Sequence, residues 1–264
     1  MAIVITGAAG NLGRKITQHL SERGCDLVLL DQRGDPGTGI LETDLSTYDT
    51  RWARYMRDAD AVIHLAGAAW PFRDWPALEQ ANIDAVVNVL AASTVGRTRR
   101  FVYASSLLTM EGYRDVEGPI RPDMPARPAS FYAITKLVGE RLCLAASQLS
   151  GLDVLCLRLG MTRPGPNLPS PRLGLWEQQR WLGNLDVCRA IEFAALHPHQ
   201  GWAVLFVTSN NAGMRWSLSE TRSAIGYEPV ENSTPTKASL PIRAVRSIVK
   251  QLRSIRSRAS GEPG

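Results

Sequence analysis

The stretch from residue 2 to residue 24 constrains this chain more than any other. Residues 2–5 form a short apolar run of strand type, followed by Thr6-Gly7-Ala8-Ala9-Gly10-Asn11-Leu12-Gly13, and a helical pattern then runs through Leu20 to a stop at Gly24. Glycines three apart let a chain turn tightly and bring its backbone against a pyrophosphate. They also open a helix whose free N–H groups stabilise that anion. The expected unit is strand, glycine turn and helix, the start of a dinucleotide-binding parallel sheet.

The next apolar run, residues 27–30, ends at Asp31, about twenty residues after the turn, where a carboxylate can bond the adenosine ribose hydroxyls. That favours NAD over NADP, while Arg33 leaves a partner for a 2′-phosphate open. Residues 40–45 read as a short strand ending in Asp44 and Leu45. Residues 61–67 read as another, with His64 inside it as a structural histidine and Leu65, Ala66 and Gly67 at its end. Helical periodicity over 75–92 is interrupted by Asn82 and Asn88, and residues 100–106 form the next strand. The alternation indicates an α/β fold with a doubly wound, Rossmann-type parallel sheet. Ligands then bind outside the carboxyl ends of the strands, where Gly7, Asp31, Gly67 and Ser106 stand.

Residues 111–129 make a proline-rich loop long enough to act as a lid. A helix over 131–150 follows and sets Tyr132 and Lys136 four residues apart, which stacks them on one face. A phenol ordinarily ionises near ~10, and a neighbouring ammonium is the influence expected to lower that value. A strand over 154–159 leads into a loop over 162–171, with Arg172 and Arg180 at its end, and then a helix over 183–196, a strand over 203–207 and a short helix over 217–225. The domain reading is a dinucleotide-binding core over 1–160, a small substrate lobe over 161–235 interleaved with the last core elements, and a basic amphipathic helix and tail over 236–264.

At 264 residues and 44% hydrophobic content the chain can bury one large core. Residues 237–258 carry seven basic and no acidic residues, so the rest of the chain has a net charge near −2 and offers no footprint for nucleic acid. The tail's apolar stripe (Ile242, Val245, Val249, Leu252) lacks aromatic residues. It is expected to pack on protein rather than on a membrane. Cys25, Cys143, Cys156 and Cys188 show neither pairing nor metal-ligand spacing, which points to a reducing compartment and no metal. With no leader pattern and no apolar run near ~18 residues, the expected location is the cytoplasm.

The glycine turn, Asp31, the strand ending in Ser106 and the Tyr132/Lys136 pair, in that order, resemble the extended short-chain dehydrogenase/reductase superfamily, also described as NAD-dependent epimerase/dehydratase-like. The resemblance spans about residues 1–230. More narrowly, TGAAGNLG, RPDMPARPASFY and SNNAGMRWSLSETRSAIGYEP look like the uronate dehydrogenases. The resemblance implies that Tyr132 is the general base and Ser106 bonds the substrate oxygen. Lys136 would lower the phenol's pKa and hold the nicotinamide ribose. Gly7, Gly10, Asn11, Leu12, Gly13, Asp31, Asp44, Leu45, Leu65, Ala66, Gly67 and Asn82 would hold NAD along with Tyr132 and Lys136, and a homodimer is expected. On the substrate side the chain departs from that pattern. Where uronate dehydrogenases carry a Ser, an Asn-His pair and another Ser, it has Ala69, Leu107-Leu108 and Met161, with Arg172 as the counterpart of a carboxylate-binding arginine.

The expected function is therefore NAD-dependent hydride transfer to or from a hydroxyl or carbonyl of a small substrate less polar than a hexuronate. A sugar-nucleotide epimerase or dehydratase is the alternative enzyme. Leu107 and Leu108 stand where such dehydratases resemble one another in an acidic pair. A non-catalytic dinucleotide sensor is the third reading, although binding alone requires no phenol beside an ammonium.

Overall fold

The computed structural model describes residues 1–68 and 74–236. Ala69 and the expected basic helix of the tail lie outside the described residues. Seven strands form one sheet: β1 (Ala2–Thr6), β2 (Asp26–Asp31), β3 (Ile40–Glu42), β4 (Ala61–His64), β5 (Arg100–Ser106), β6 (Asp153–Leu159) and β7 (Trp202–Val207). All neighbours are parallel, in the order β3-β2-β1-β4-β5-β6-β7. The order reverses between β1 and β4, which opens a crevice at their carboxyl ends.

Strand periodicity divides the core in two. Ile3, Ile5, Ile63, Val102, Leu155 and Leu157 face one side, against Ile16 and Leu20 of α1 (Asn11–Glu22) and Val187, Ile191 and Ala194 of α7 (Asn184–Leu196). Val4, Val62, Phe101, Tyr103 and Cys156 alternate with them onto the other side. There they meet Trp52 and Ala53 of α2 (Thr50–Ala53), Val86 and Val89 of α4 (Ala85–Val95) and Cys143 of α5 (Phe131–Ser150). A third apolar cluster joins Leu107, Met110 and Tyr113 after β5 to Trp176 of α6 (Leu175–Gln179), Phe206, and Trp216 and Leu218 just before α8 (Ser219–Ile225). This cluster joins the segment after β5 to residues beyond 160.

Several elements differ from the sequence reading. β3 stops at Glu42, opposite the last residue of β2, Asp31, whose carbonyl takes the final ladder bond from the Thr43 N–H. β4 stops at His64. The expected helix over 75–92 is α3 (Trp75–Glu79), a π-helical turn (Gln80–Asp84) and α4, which runs on to Val95. α2 and α6 are too short to leave a periodic signature. α5 occupies its expected bounds because both ends are marked: Ser130 accepts a hydrogen bond from the Ala133 N–H, and Gly151 takes the left-handed conformation at φ +73°.

Candidate active site

The carboxyl ends of β1, β2 and β4 open onto a cleft of about 540 Å³ whose walls include Gly7, Gly10, Asp31, Leu45, Leu65, Ala66 and Gly67. A Cβ on Gly7 would come within 2.6 Å of the Ala66 nitrogen, so only glycine lets the turn press against the loop after β4. α1 starts at Gly10 with neither a side-chain cap nor an acid in its first turn, formed by Asn11, Leu12 and Gly13. Its N–H groups remain available to an anion. Asp31 is fixed beside them, Oδ2 accepting from the Ala9 N–H at 3.0 Å and Oδ1 from the Arg33 N–H at 3.0 Å. These residues fit a dinucleotide: donors for the pyrophosphate and a carboxylate for the adenosine ribose. Arg33 is largely exposed, its Nε 3.9 Å from Asp31.

Two residues of the expected cofactor set serve the cleft indirectly. Asp44 is exposed and accepts from the N–H and hydroxyl of Ser46, shaping the turn that carries buried Leu45. Asn82 is fully buried in the π-helical turn. Its Oδ1 accepts from the Ala68 N–H at 2.7 Å, and its Nδ2 donates to the Ala68 carbonyl and to Thr135 Oγ1 at 3.0 Å. It clamps the loop after β4 to α5, with the extra residue of the π turn placing it there.

α5 brings Tyr132 and Lys136 over the end of β5. Gly139 makes the approach possible, since a Cβ there would lie 2.1 Å from the Tyr103 hydroxyl. Lys136 is buried, with Nζ 5.2 Å from the Tyr103 ring centre and 5.8 Å from that of Tyr132. Ser106 closes β5, accepts from the Leu108 N–H at 3.2 Å and hydrogen-bonds Tyr132. The expected depression of the phenol by Lys136 is not what the structure gives. Burial pushes Tyr132 up to about 12, and the hydrogen bond from Ser106 works against that rise. Burial also brings Lys136 down to about 8, because the same enclosure disfavours its charged form.

Beyond Ser106, Leu107 is fully buried inside the third apolar cluster and Leu108 is 8% exposed. Met161 is half-buried at the exit of β6, bonded through its backbone to the Arg180 carbonyl and the Leu182 N–H. Arg172 is exposed, and among the described residues nothing bonds or pairs with it.

A family model described as the NAD dependent epimerase/dehydratase family matches residues 3–167. The chain belongs to that family. It is 29% identical to L-arabinose 1-dehydrogenase (NAD(P)(+)) of Haloferax volcanii over 88% of this chain and 97% of that one. It is 27% identical to uronate dehydrogenase of Pseudomonas syringae pv. tomato over 89% and 84%. A mutant uronate dehydrogenase from Agrobacterium tumefaciens, solved in complex with NAD, superposes with a TM-score of 0.73 at 25% identity, covering 95% of this chain and 89% of that one.

As a member of the NAD dependent epimerase/dehydratase family, the chain is an NAD-dependent enzyme of the short-chain dehydrogenase type. Sequence reasoning missed Thr43, Ser46 and Gln80, which also line the cleft, and Thr135, which receives Asn82. Their positions follow from the early end of β3 and from the π-helical turn, and neither carries a composition signal.

Proposed function

We propose that this protein is an NAD-dependent dehydrogenase or reductase acting on a hydroxyl or carbonyl of a small substrate less polar than a hexuronate. The observation that carries the reading is the Ser106–Tyr132 hydrogen bond beside buried Lys136, at the end of a cleft that fits a dinucleotide. As its phenolate, Tyr132 takes the proton of the substrate hydroxyl while the substrate carbon gives up hydride, and Ser106 donates to the oxygen as charge develops. Lys136, with its Nζ 5.8 Å from the Tyr132 ring centre, would orient the phenol and hold the nicotinamide ribose. Bound NAD supplies the hydride acceptor and, when oxidised, a positive ring charge. In the reverse direction Tyr132 returns the proton.

A lobe interior filled by Trp176, Trp216, Phe206 and Tyr113 favours a small substrate over a nucleotide-sugar. We read the protein as a homodimer through an apolar face shared by α4 and α5, where Val87, Val95, Ile134 and Leu149 are exposed at 43%, 78%, 38% and 88%. The four unpaired thiols suit a reducing cytoplasm. Among the described residues no helix is long and apolar enough to cross a membrane.

The test is NAD reduction by the full chain across alcohols, sugars and sugar acids, repeated from neutral to alkaline pH. Because Tyr132 holds its proton up to about 12, oxidation should speed up as pH rises, while carbonyl reduction, which uses the protonated phenol, should not. Tight NAD binding with no turnover of any compound would favour the sensor reading.

A further inference from the structure

The inward face of α5 is poor in large apolar side chains. Ala133, Gly139, Cys143 and Ser147 are buried there, while Leu142 and Ala146 pack only at its margin. Ridges that small do little to fix how the helix carrying Tyr132 and Lys136 slides or turns on the sheet. One turn beyond Lys136, on the same face, stands Glu140, 2% exposed. Arg158 of β6 takes both of its oxygens in a two-pronged pair, Nε to Oε1 and Nη2 to Oε2, each at 2.8 Å. Oε1 also accepts the hydroxyl of Ser105 at 2.5 Å. Ser105 and Arg158 are register partners on β5 and β6, and Ser105 directly precedes Ser106, the hydrogen-bond partner of Tyr132.

The same guanidinium reaches the proline-rich loop over residues 111–129. Its Nη1 donates to the Pro122 carbonyl at 3.3 Å and lies 3.2 Å from Met110 Sδ. The loop's return limb is held where the Gly112 N–H donates to the Arg127 carbonyl at 2.9 Å and the Arg127 N–H to the Thr109 carbonyl at 2.8 Å. From one buried position Arg158 therefore meets the catalytic helix, the strand end that carries Ser106 and the loop that follows it. Stability alone does not call for such a pair, since an apolar pair of similar volume avoids the cost of stripping water from two charges. A planar fork, however, fixes its partner in direction as well as distance, which apolar contact does not.

We propose that Glu140 and Arg158 are positioning residues for the reaction: the pair sets the register of α5 on β5, and with it the reach from Tyr132 to Ser106, and ties the loop over 111–129 to that register. The inference rests on the oxidoreductase reading for the roles of Tyr132 and Ser106, but the loop can be followed without turnover.

Three variants of the full chain separate positioning from stability. Glu140→Gln strips Arg158 of its counter-charge and should lower Tm, even to the point of misfolding. The decisive variant is therefore Glu140→Met with Arg158→Met, which fills the same space without charge and should keep Tm at or above that of the intact protein. Ser105→Ala removes one hydroxyl and leaves the ion pair. On the best substrate found for the intact protein, the double variant should lose about 100-fold in kcat while its KM for NAD stays within about threefold, and Ser105→Ala should lose about fivefold. Hydrogen exchange read by mass spectrometry should quicken over residues 109–127 in the double variant and stay unchanged over residues 7–13. Unchanged kcat at retained Tm, or unchanged exchange over 109–127, would overturn the proposal. So would a double variant that melts as early as Glu140→Gln, because the pair would then serve stability. If the intact protein turns over no compound, the oxidoreductase reading falls by itself, and a crystal structure of the double variant decides the rest. A Ser106–Tyr132 hydrogen bond kept there would overturn the positioning role, and a broken one with faster exchange would uphold it.

Discussion

At the β1–β2 end of the sheet rim, recognition is built from backbone: a glycine turn pressed against Ala66, uncapped N–H groups on α1, and Asp31 tied down by the Ala9 N–H. At the β5–β6 end the proposed substrate side is built from side chains on irregular segments: Leu108 after one strand and Met161 after the next, the latter bridged through its main chain to Arg180 and Leu182. The first end tolerates few residue types, because a Cβ in the wrong place collides with main chain. The second tolerates many, since a different side chain on the same loop changes what is bound without disturbing the sheet. Tyr132 and Lys136 stand on the helix that borders both ends.

The comparison breaks most severely at that shared helix. Tyr132→Phe removes only the hydroxyl, and it should lower turnover of any substrate by about 1,000-fold or more while NAD affinity, read by calorimetry, changes little. Full turnover in this variant would remove the assigned chemistry from both ends at once. Asp31→Ala acts on one end alone. Loss of the ribose partner and of its charge should raise the KM for NAD by about 10- to 100-fold and narrow the preference against NADP, with the substrate KM unmoved. Steady-state kinetics with both cofactors reads the two effects apart. Met161→Ser is the matching change at the other end. It should shift kcat/KM toward more hydroxylated substrates by about 10-fold and leave the KM for NAD alone. A shift in NAD affinity there would show that the two ends are not separable.

The same contrast explains what the sequence disclosed. β1, the turn and α1 were legible because close approach admits only glycine at Gly7, and α5 because Ser130 and Gly151 mark its ends. Asn82 was named as a cofactor residue, yet it faces Ala68 and Thr135, since a π-helical turn rotates it away from where an unbroken helix would place it. Leu107 was assigned to the substrate side and lies in the third apolar cluster, because the 3₁₀ segment after Ser106 turns it toward Phe206 and Trp216. The depressed phenol was inferred from the Tyr–Lys spacing and from the family resemblance. Spacing reports a neighbouring charge but not the enclosure that outweighs it.

An effect on stability rather than turnover lies in His64, beneath the seam between the two ends. Its ring is stacked near Phe101 and Tyr103, and its Nδ1 is 2.9 Å from Thr6 Oγ1, in the last residue before the glycine turn. Complete burial and the Lys136 charge hold its pKa down to about 3, against an ordinary value of 6.5. The unfolded chain therefore takes up a proton that the folded chain refuses. The stability involved is fully present above about 6.5 and is lost progressively as pH falls toward about 3. By about pH 5 the loss should reach about 2 kcal/mol. Chemical denaturation at a series of pH values should show this slope, and His64→Phe, which keeps a flat ring in the stack, should flatten it. Because Thr6 leads directly into the glycine turn, NAD affinity should weaken over the same pH range in the intact protein. An acid limb unchanged by His64→Phe would place the sensitivity in other groups and leave the glycine-turn end independent of His64.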